Sequence, residues 1–201
     1  MVNYIDQSHT YIEDGVVIEE GTTIYPNVIL EGTTKIGKNC IIHMGCYLKN
    51  VEVGDNTIIY HSHIEDSKIG AYCNIGPYTH IRSNCIIKDH IKVGSFVELK
   101  NSQVDNQTKI PHLSYIGDSV IGKEVNIGCG VVTANYDGKE KHQTIINDGA
   151  FIGCNTNLIA PIKVEKNAFI GAGSTITRDV PSDTLAIARA KTIMKKYKEE
   201  C

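Results

Sequence analysis

Apolar side chains recur along this chain with a period of six. They fall at positions 12, 18, 24, 30, 36, 42 and 48, after which the register slips by one and resumes with an occasional five-residue step. The series runs on from Val53 through Ile59, Ile64, Ile75, Ile87, Leu99, Ile110 and Ile116 to Ile127, with Thr133 in the next slot, and returns from Ile146 to Ile176 after an interruption. A helix repeats its buried face about every 3.6 residues and a strand about every second residue, so neither accounts for six. Glycine often follows the apolar anchor, as at Gly37, Gly54, Gly94 and Gly128, and a small or β-branched residue often sits four after it. Each unit therefore reads as a short strand and a turn, and three units close one triangular coil of about 18 residues. About nine coils stacked at roughly 4.8 Å predict an all-β parallel β-helix on the order of 45 Å long. It spans residues 12–180, with a lead-in at 1–11 and a C-terminal arm or short helix at 181–201. The periodicity leaves the hand of the coil open.

Composition narrows the picture. The chain has 201 residues, the size of one domain, with 41% hydrophobic but only 6% aromatic residues, no tryptophan and 18 glycines. Such a core is built from small and β-branched side chains in narrow layers. A net charge of -3 gives no electrostatic footprint for nucleic acid or an anionic membrane. No apolar run reaches the roughly 18 residues of a spanning helix, and the first residues, MVNYIDQSHTYIEDG, carry no signal-peptide pattern, so the expected location is cytoplasmic. The seven cysteines are odd in number and lack CxxC spacing, which points to free thiols. Cys40, Cys46, Cys73 and Cys85 fall four after an anchor, where compact core side chains belong, whereas Cys129 and Cys154 fall two after, facing outward.

The repeat breaks twice. At Ile110 one unit reads IPHLSY, placing Pro111, His112 and Tyr115 where other units have glycine and small polar residues. Between Thr133 and Ile146 stands ANYDGKEKHQTI, too long for one unit and rich in turn formers, and loops on rigid scaffolds commonly carry function. Near these breaks lie three cations the repeat does not require: Arg82, Lys100 and Lys141. Arg82 and Lys100 are 18 residues apart, which stacks them on adjacent coils of one face, an arrangement that suits a bridging phosphate. His112 follows across a five-residue step and can belong to another face.

With these residues assembled, the sequence resembles the C-terminal acetyltransferase domain of the bifunctional N-acetylglucosamine-1-phosphate uridyltransferase/glucosamine-1-phosphate acetyltransferase family. The runs that carry the resemblance are IGPYTHIRS, VGSFVELKNS, HLSYIGDSVIGKEVNIGCG, TANYDGKEKHQTII, DGAFIGCNTNLIAP, IGAGSTITRDVP and LAIARA, covering about residues 75 to 190. The resemblance implies a left-handed coil and an acetyl-CoA-dependent transfer to an amino-sugar phosphate, glucosamine 1-phosphate, in UDP-N-acetylglucosamine biosynthesis. It makes His112 the general base and matches Arg82, Lys100 and Lys141 to the groups that hold the sugar phosphate. Tyr115 and Asn126 match positions that contact the sugar, and Asn135 with Tyr136 match loop positions that meet sugar and acetyl-CoA. Cys129, Cys154, Ala172 and Arg189 match the acetyl-CoA groove. The family usually has Ala at position 129, Ser at 154 and Pro where Ser83 stands. No GGxGTRM-like nucleotide loop occurs, so neither uridyl transfer nor a Mg²⁺ requirement is expected.

An amino-sugar nitrogen must lose a proton before it attacks a thioester, and a histidine is suited to take it. Direct transfer in a ternary complex needs no covalent role for Cys129 or Cys154. The resemblance further implies a homotrimer with sites between subunits, the 134–145 loop reaching across. Two other readings stand beside it: an acyltransferase for another amine, and a non-catalytic oligomerisation or regulatory prism. A zinc site of the γ-carbonic-anhydrase kind would draw on His61 and His63, sharing a strand face, and His43. The other ligands' spacing is missing, so no metal is expected. His80, His90 and His142 read as surface residues.

Overall fold

The computed structural model describes residues 1 to 196. Short parallel strands of mostly two to four residues wind into a three-sided, left-handed β-helix whose sides are sheets of eleven, ten and nine strands. The first sheet runs from Asn3–Tyr4 to Leu185–Ala186, the second from Tyr11–Ile12 to Thr175–Ile176, and the third from Val17–Ile18 to Ile162–Val164. Strand pairing thus reaches past both ends of the expected stretch. Asn3–Tyr4 already pairs with Thr23–Ile24, and Leu185–Ala186 pairs with Phe169–Ile170. Between the first two strands Gln7–His9 forms a single 3-10 turn capped by Asp6. Residues 187–196 contain no helix, and the rest of the expected arm lies outside the described residues. Among the described residues no helix is long and apolar enough to cross a membrane.

The period of six follows from this geometry. Each strand turns one anchor inward, and Ile24, Ile42, Ile59, Ile75, Ile110 and Ile127 of the first sheet all have 0% exposure. A fully buried aliphatic side chain stabilises by about 1.5–3 kcal/mol, so the stacked anchors dominate the core. The residue four after the anchor lines the inside of the corner, where its backbone carbonyl neighbours would otherwise lack a partner. Thr22 and Thr57 donate to Gly37 O at 2.7 Å and Gly70 O at 2.8 Å. Cys40 and Cys73 do the same with their thiols, to Gly54 O at 3.2 Å and Lys88 O at 3.0 Å. All four interior cysteines are buried, as their spacing indicates, and burial pushes the thiols of Cys46 and Cys73 up to about 11. Such thiols are inert packing groups.

The insertion after Ala134 leaves the coil as a small antiparallel hairpin bridged between Tyr136 and Lys141. Asp137 organises its tip: one carboxylate oxygen accepts the N–H groups of Lys139 and Glu140 at 2.8 Å each, and the other faces His142 Nε2 at 2.7 Å. The Glu140 N–H first, then His142 and the Lys139 N–H, hold this carboxyl well below the usual range. His142 N–H closes the hairpin on Asn135 O at 2.7 Å.

Candidate active site

The outer face of the second sheet gathers the cations. Ile81 pairs with Leu99 and Arg82 N–H donates to Leu99 O at 2.9 Å, so Arg82 and Lys100 occupy equivalent points on adjacent coils, as their 18-residue spacing requires. The two are not a bare cationic pair. Glu98 stands two residues before Lys100 on the same face and binds Arg82 Nη1 at 2.9 Å, raising the guanidinium pKa. Lys100 is left to the hairpin. Lys141 lies directly against it, and that contact, with the added charge of Arg82, lowers the Lys100 pKa while Asp118 opposes the shift. The hairpin therefore folds over its own chain's sheet and delivers a third cation to the Arg82–Lys100 stack.

Asp118 joins the hairpin to the coil. Asn101 Nδ2 donates to one of its oxygens at 2.5 Å, and the nearly buried Asn135 donates to the other. Gly117 makes room above: a Cβ there would lie 2.5 Å from Tyr115 Oη and 2.7 Å from Asn135 Nδ2. Tyr115 and Asn135 thus lean together over one glycine, next to the cations. Tyr136, 62% exposed, stands at the base of the hairpin. Glu98, Asp118 and Asn101 were not singled out in the sequence. The signal available was position alone, since Glu98 shares the outward phase of Lys100.

His112 is placed elsewhere. It ends the strand Lys109–His112 of the first sheet, pairs with Ser95, and stands exposed at the corner where the chain turns into the second sheet at Tyr115. Register carries this corner down the prism. Lys109 pairs with Asn126, Asn126 with Phe151, and Phe151 with Phe169, so His112, Cys129, Cys154 and Ala172 fall at the same point of four successive coils. Arg189 Nη1 folds back to donate to Ala172 O, closing the lower end of the column. Asn155 N–H donates to Cys129 O and Gly173 N–H to Cys154 O, at 2.7 and 2.8 Å, so backbone bonds hold the column coil to coil. The N–H groups of Cys129, Cys154 and Ala172 take no part in these coil-to-coil bonds among the described residues. Cys129 is half-buried and Cys154 and Ala172 are exposed, so these N–H groups sit at the surface beside small side chains.

Asn126 lies on the outer face of the first sheet, between Lys109 and Phe151. The faces of a three-sided prism diverge, so one chain does not bring Asn126 and Tyr115 to the same ligand. Of the residues named from sequence, the structure brings Arg82, Lys100, Tyr115, Asn135 and Lys141 together on one face and lines His112, Cys129, Cys154, Ala172 and Arg189 along the adjoining corner. Asn126 stands apart. The metal-set histidines do not share a face: His61 turns the corner with φ of 34°, and His43 stacks against Tyr60 with centroids 4.2 Å apart. The five-residue step from Leu48 to Val53 makes Ile59, not Tyr60, the partner of Ile42, so Tyr60 faces His43 and His61, two after its anchor, falls in the corner.

A three-sided parallel β-helix built on a six-residue period is the architecture of hexapeptide-repeat proteins. Residues 143–178 match the bacterial transferase hexapeptide model (six repeats), and residues 7–104 match the GMPPB C-terminal domain model. The chain is homologous over nearly its whole length to the C-terminal part of the bifunctional GlmU proteins, and it belongs to that family. It is 50% identical over 194 residues to bifunctional protein GlmU of Clostridioides difficile (strain 630), covering 96% of this chain and 42% of that protein. It is 51% identical over 194 residues to that of Geobacillus sp. (strain WCH70), with the same coverage. The chain thus spans less than half the length of these relatives. Among solved structures, the UDP-N-acetylglucosamine acyltransferases of Arabidopsis and Campylobacter jejuni share the fold. Each has a TM-score of 0.60, at 15% and 17% identity, covering 90% and 88% of this chain and 70% and 71% of theirs.

Proposed function

We propose that the chain is an acetyl-CoA-dependent N-acetyltransferase acting on an amino-sugar phosphate, glucosamine 1-phosphate, in the supply of UDP-N-acetylglucosamine. The observation that carries the reading is the shared column of His112, Cys129, Cys154 and Ala172, one corner away from the Arg82–Lys100–Lys141 cluster. A base standing at the head of a row of outward N–H groups, beside an anion pocket, is what transfer between a thioester and a phosphorylated amine requires.

Arg82, Lys100 and Lys141 hold the phosphate, relieving the mutual repulsion of the two lysines, while Tyr115 and Asn135 orient the sugar ring. This fixed orientation is itself a large part of the rate. His112 accepts a proton from the sugar ammonium, freeing the lone pair that attacks the acetyl carbonyl. Acetyl-CoA supplies the acetyl group as an activated thioester. Outward N–H groups of the Cys129–Ala172 column stabilise the oxygen charge that develops, worth about 3–4 kcal/mol per donor in comparable sites. The thiol of coenzyme A leaves with a proton, and neither Cys129 nor Cys154 forms a bond to the acetyl group.

Asn126 meets the sugar only from a neighbouring subunit, so the active form is a homotrimer with its pockets between prisms, working in the cytoplasm. The test is release of free thiol from acetyl-CoA against a panel of phosphorylated and unphosphorylated amino sugars. Release with glucosamine 1-phosphate is expected, and silence with every amine would overturn the reading. Light scattering should give three chains per particle; a monomer at working concentration would remove the shared pocket.

A further inference from the structure

We propose that His63, Glu65 and His80 form a binding site for a borderline divalent cation of the Zn²⁺ class. The inference is independent of the acetyltransferase reading. His63 and Glu65 are the first and third residues of the strand His63–Glu65, so both project from the outer face of the second sheet. His80 is the register partner of His63 on the next coil. Two ligands at alternate positions of one strand and a third directly across from the first form a compact triangle. The three offered ligand atoms lie within 4.8 Å of one another.

His63 Nε2 and Glu65 Oε1 are 3.5 Å apart, close to the roughly 3.3 Å between two ligand atoms on a tetrahedral zinc with bonds of about 2.0–2.1 Å. The His80 ring stands edge-on to His63, at 82° with centroids 5.1 Å apart, so a small torsion brings its nitrogen to the same point. The ring of Tyr47 stacks on His63 at 4.6 Å and limits its rotation.

Glu65 is also left without a cationic partner by its neighbours in register. Lys49 turns to Glu31 at 4.0 Å, and Arg82 is held by Glu98 at 2.9 Å. The Glu65 carboxylate therefore has only the imidazole of His63 as an ionic partner among the described residues. Side-chain exposures of 47% for His63 and 36% for Glu65 leave the outer side open for a water as fourth ligand. Two imidazoles and one carboxylate select Zn²⁺, Co²⁺ or Ni²⁺ over the oxygen-seeking Mg²⁺ and Ca²⁺.

The test is calorimetric titration of untagged, chelator-stripped full-length protein with Zn²⁺, paired with Co²⁺ absorption spectra. One ion per chain is expected, unaffected by excess Mg²⁺, with a rise in Tm because the ion ties two coils together. His63→Ala and His80→Ala should each weaken binding by about 100-fold, and Glu65→Gln by about tenfold. A double His63→Ala, His80→Ala variant that melts like the parent yet binds Zn²⁺ equally well would overturn the assignment. So would a thiolate-to-cobalt charge-transfer band, which would place the ion on a cysteine.

Discussion

Two corners of the same prism treat the same backbone differently. Where the third sheet turns into the first, the residue two after the anchor caps its counterpart one coil away. Asp55 accepts the Lys38 N–H, Asp89 the Ala71 N–H and Asp148 the Lys123 N–H, each at 2.8 Å, and Asn106 accepts the Asp89 N–H at 2.9 Å. Where the first sheet turns into the second, the equivalent column reads Ser95, His112, Cys129, Cys154 and Ala172, and carries no carboxylate at all. One corner spends its turn donors on the fold. The other leaves the N–H groups of Cys129, Cys154 and Ala172 without a backbone partner among the described residues, and His112 stands in the same column. In a solenoid whose stability comes from stacked interior anchors, such a difference costs little, because a turn N–H exposed to water is already solvated.

The sharpest break of this contrast is at the head of the open corner. His112→Ala should lower kcat by about 100-fold or more, roughly 2.7 kcal/mol, with Tm little changed, since the imidazole is exposed. Steady-state kinetics with thermal melts checks it. Next, Cys154→Asp should convert the open corner into the capped kind, with its carboxylate accepting the Cys129 N–H as Asp148 accepts that of Lys123. The expected result is a KM for acetyl-CoA raised at least about tenfold, with Tm equal or higher. A variant that binds acetyl-CoA normally would show that the column is not the groove.

On the neighbouring face, Lys141→Gln should raise the KM for the sugar phosphate about tenfold. Its effect on stability has a defined sign. Lys100 has a lowered pKa in the folded protein, so its protonated form is disfavoured by folding, and this penalty is present at neutral pH and fades as pH rises from the folded towards the unfolded value. The ligand-free variant should therefore melt slightly above the parent near neutrality, with the gap closing in alkaline buffer. The smallest effect belongs to the capped corner. Asp148→Ala should cost about 0.5–1.5 kcal/mol in denaturant unfolding while kcat and both KM values stay put. A loss of activity there would make the two corners functionally alike.

The interior was legible because it obeys one rule. A six-residue phase held by Ile24, Ile42 and their successors gave the coil, the burial of Cys40, Cys46, Cys73 and Cys85, and the stacking of Arg82 on Lys100 across a full 18-residue turn. The outer groups were less legible wherever a five-residue unit intervened. One such unit, between Leu48 and Val53, puts His43 against Tyr60 and His61 on a corner, so a metal set assembled by spacing came apart, while His63, Glu65 and His80 met across a register that spacing did not single out. The pairing of Glu98 with Arg82 was missed for a related reason, because it runs diagonally between strands.

The sequence by itself determined the coil, its inward anchors and the kinds of chemistry carried outward, because inward phase is a one-dimensional property that each short strand imposes locally. Only the tertiary structure decided which outward groups share a ligand. The hairpin had to fold back before Lys141 met Lys100, and the coils had to stack before His112, Cys129 and Cys154 became one column. Contacts between coils depend on the summed length of every unit in between, and a five-residue step keeps the anchors stacked while shifting by one position the separation at which outward residues meet.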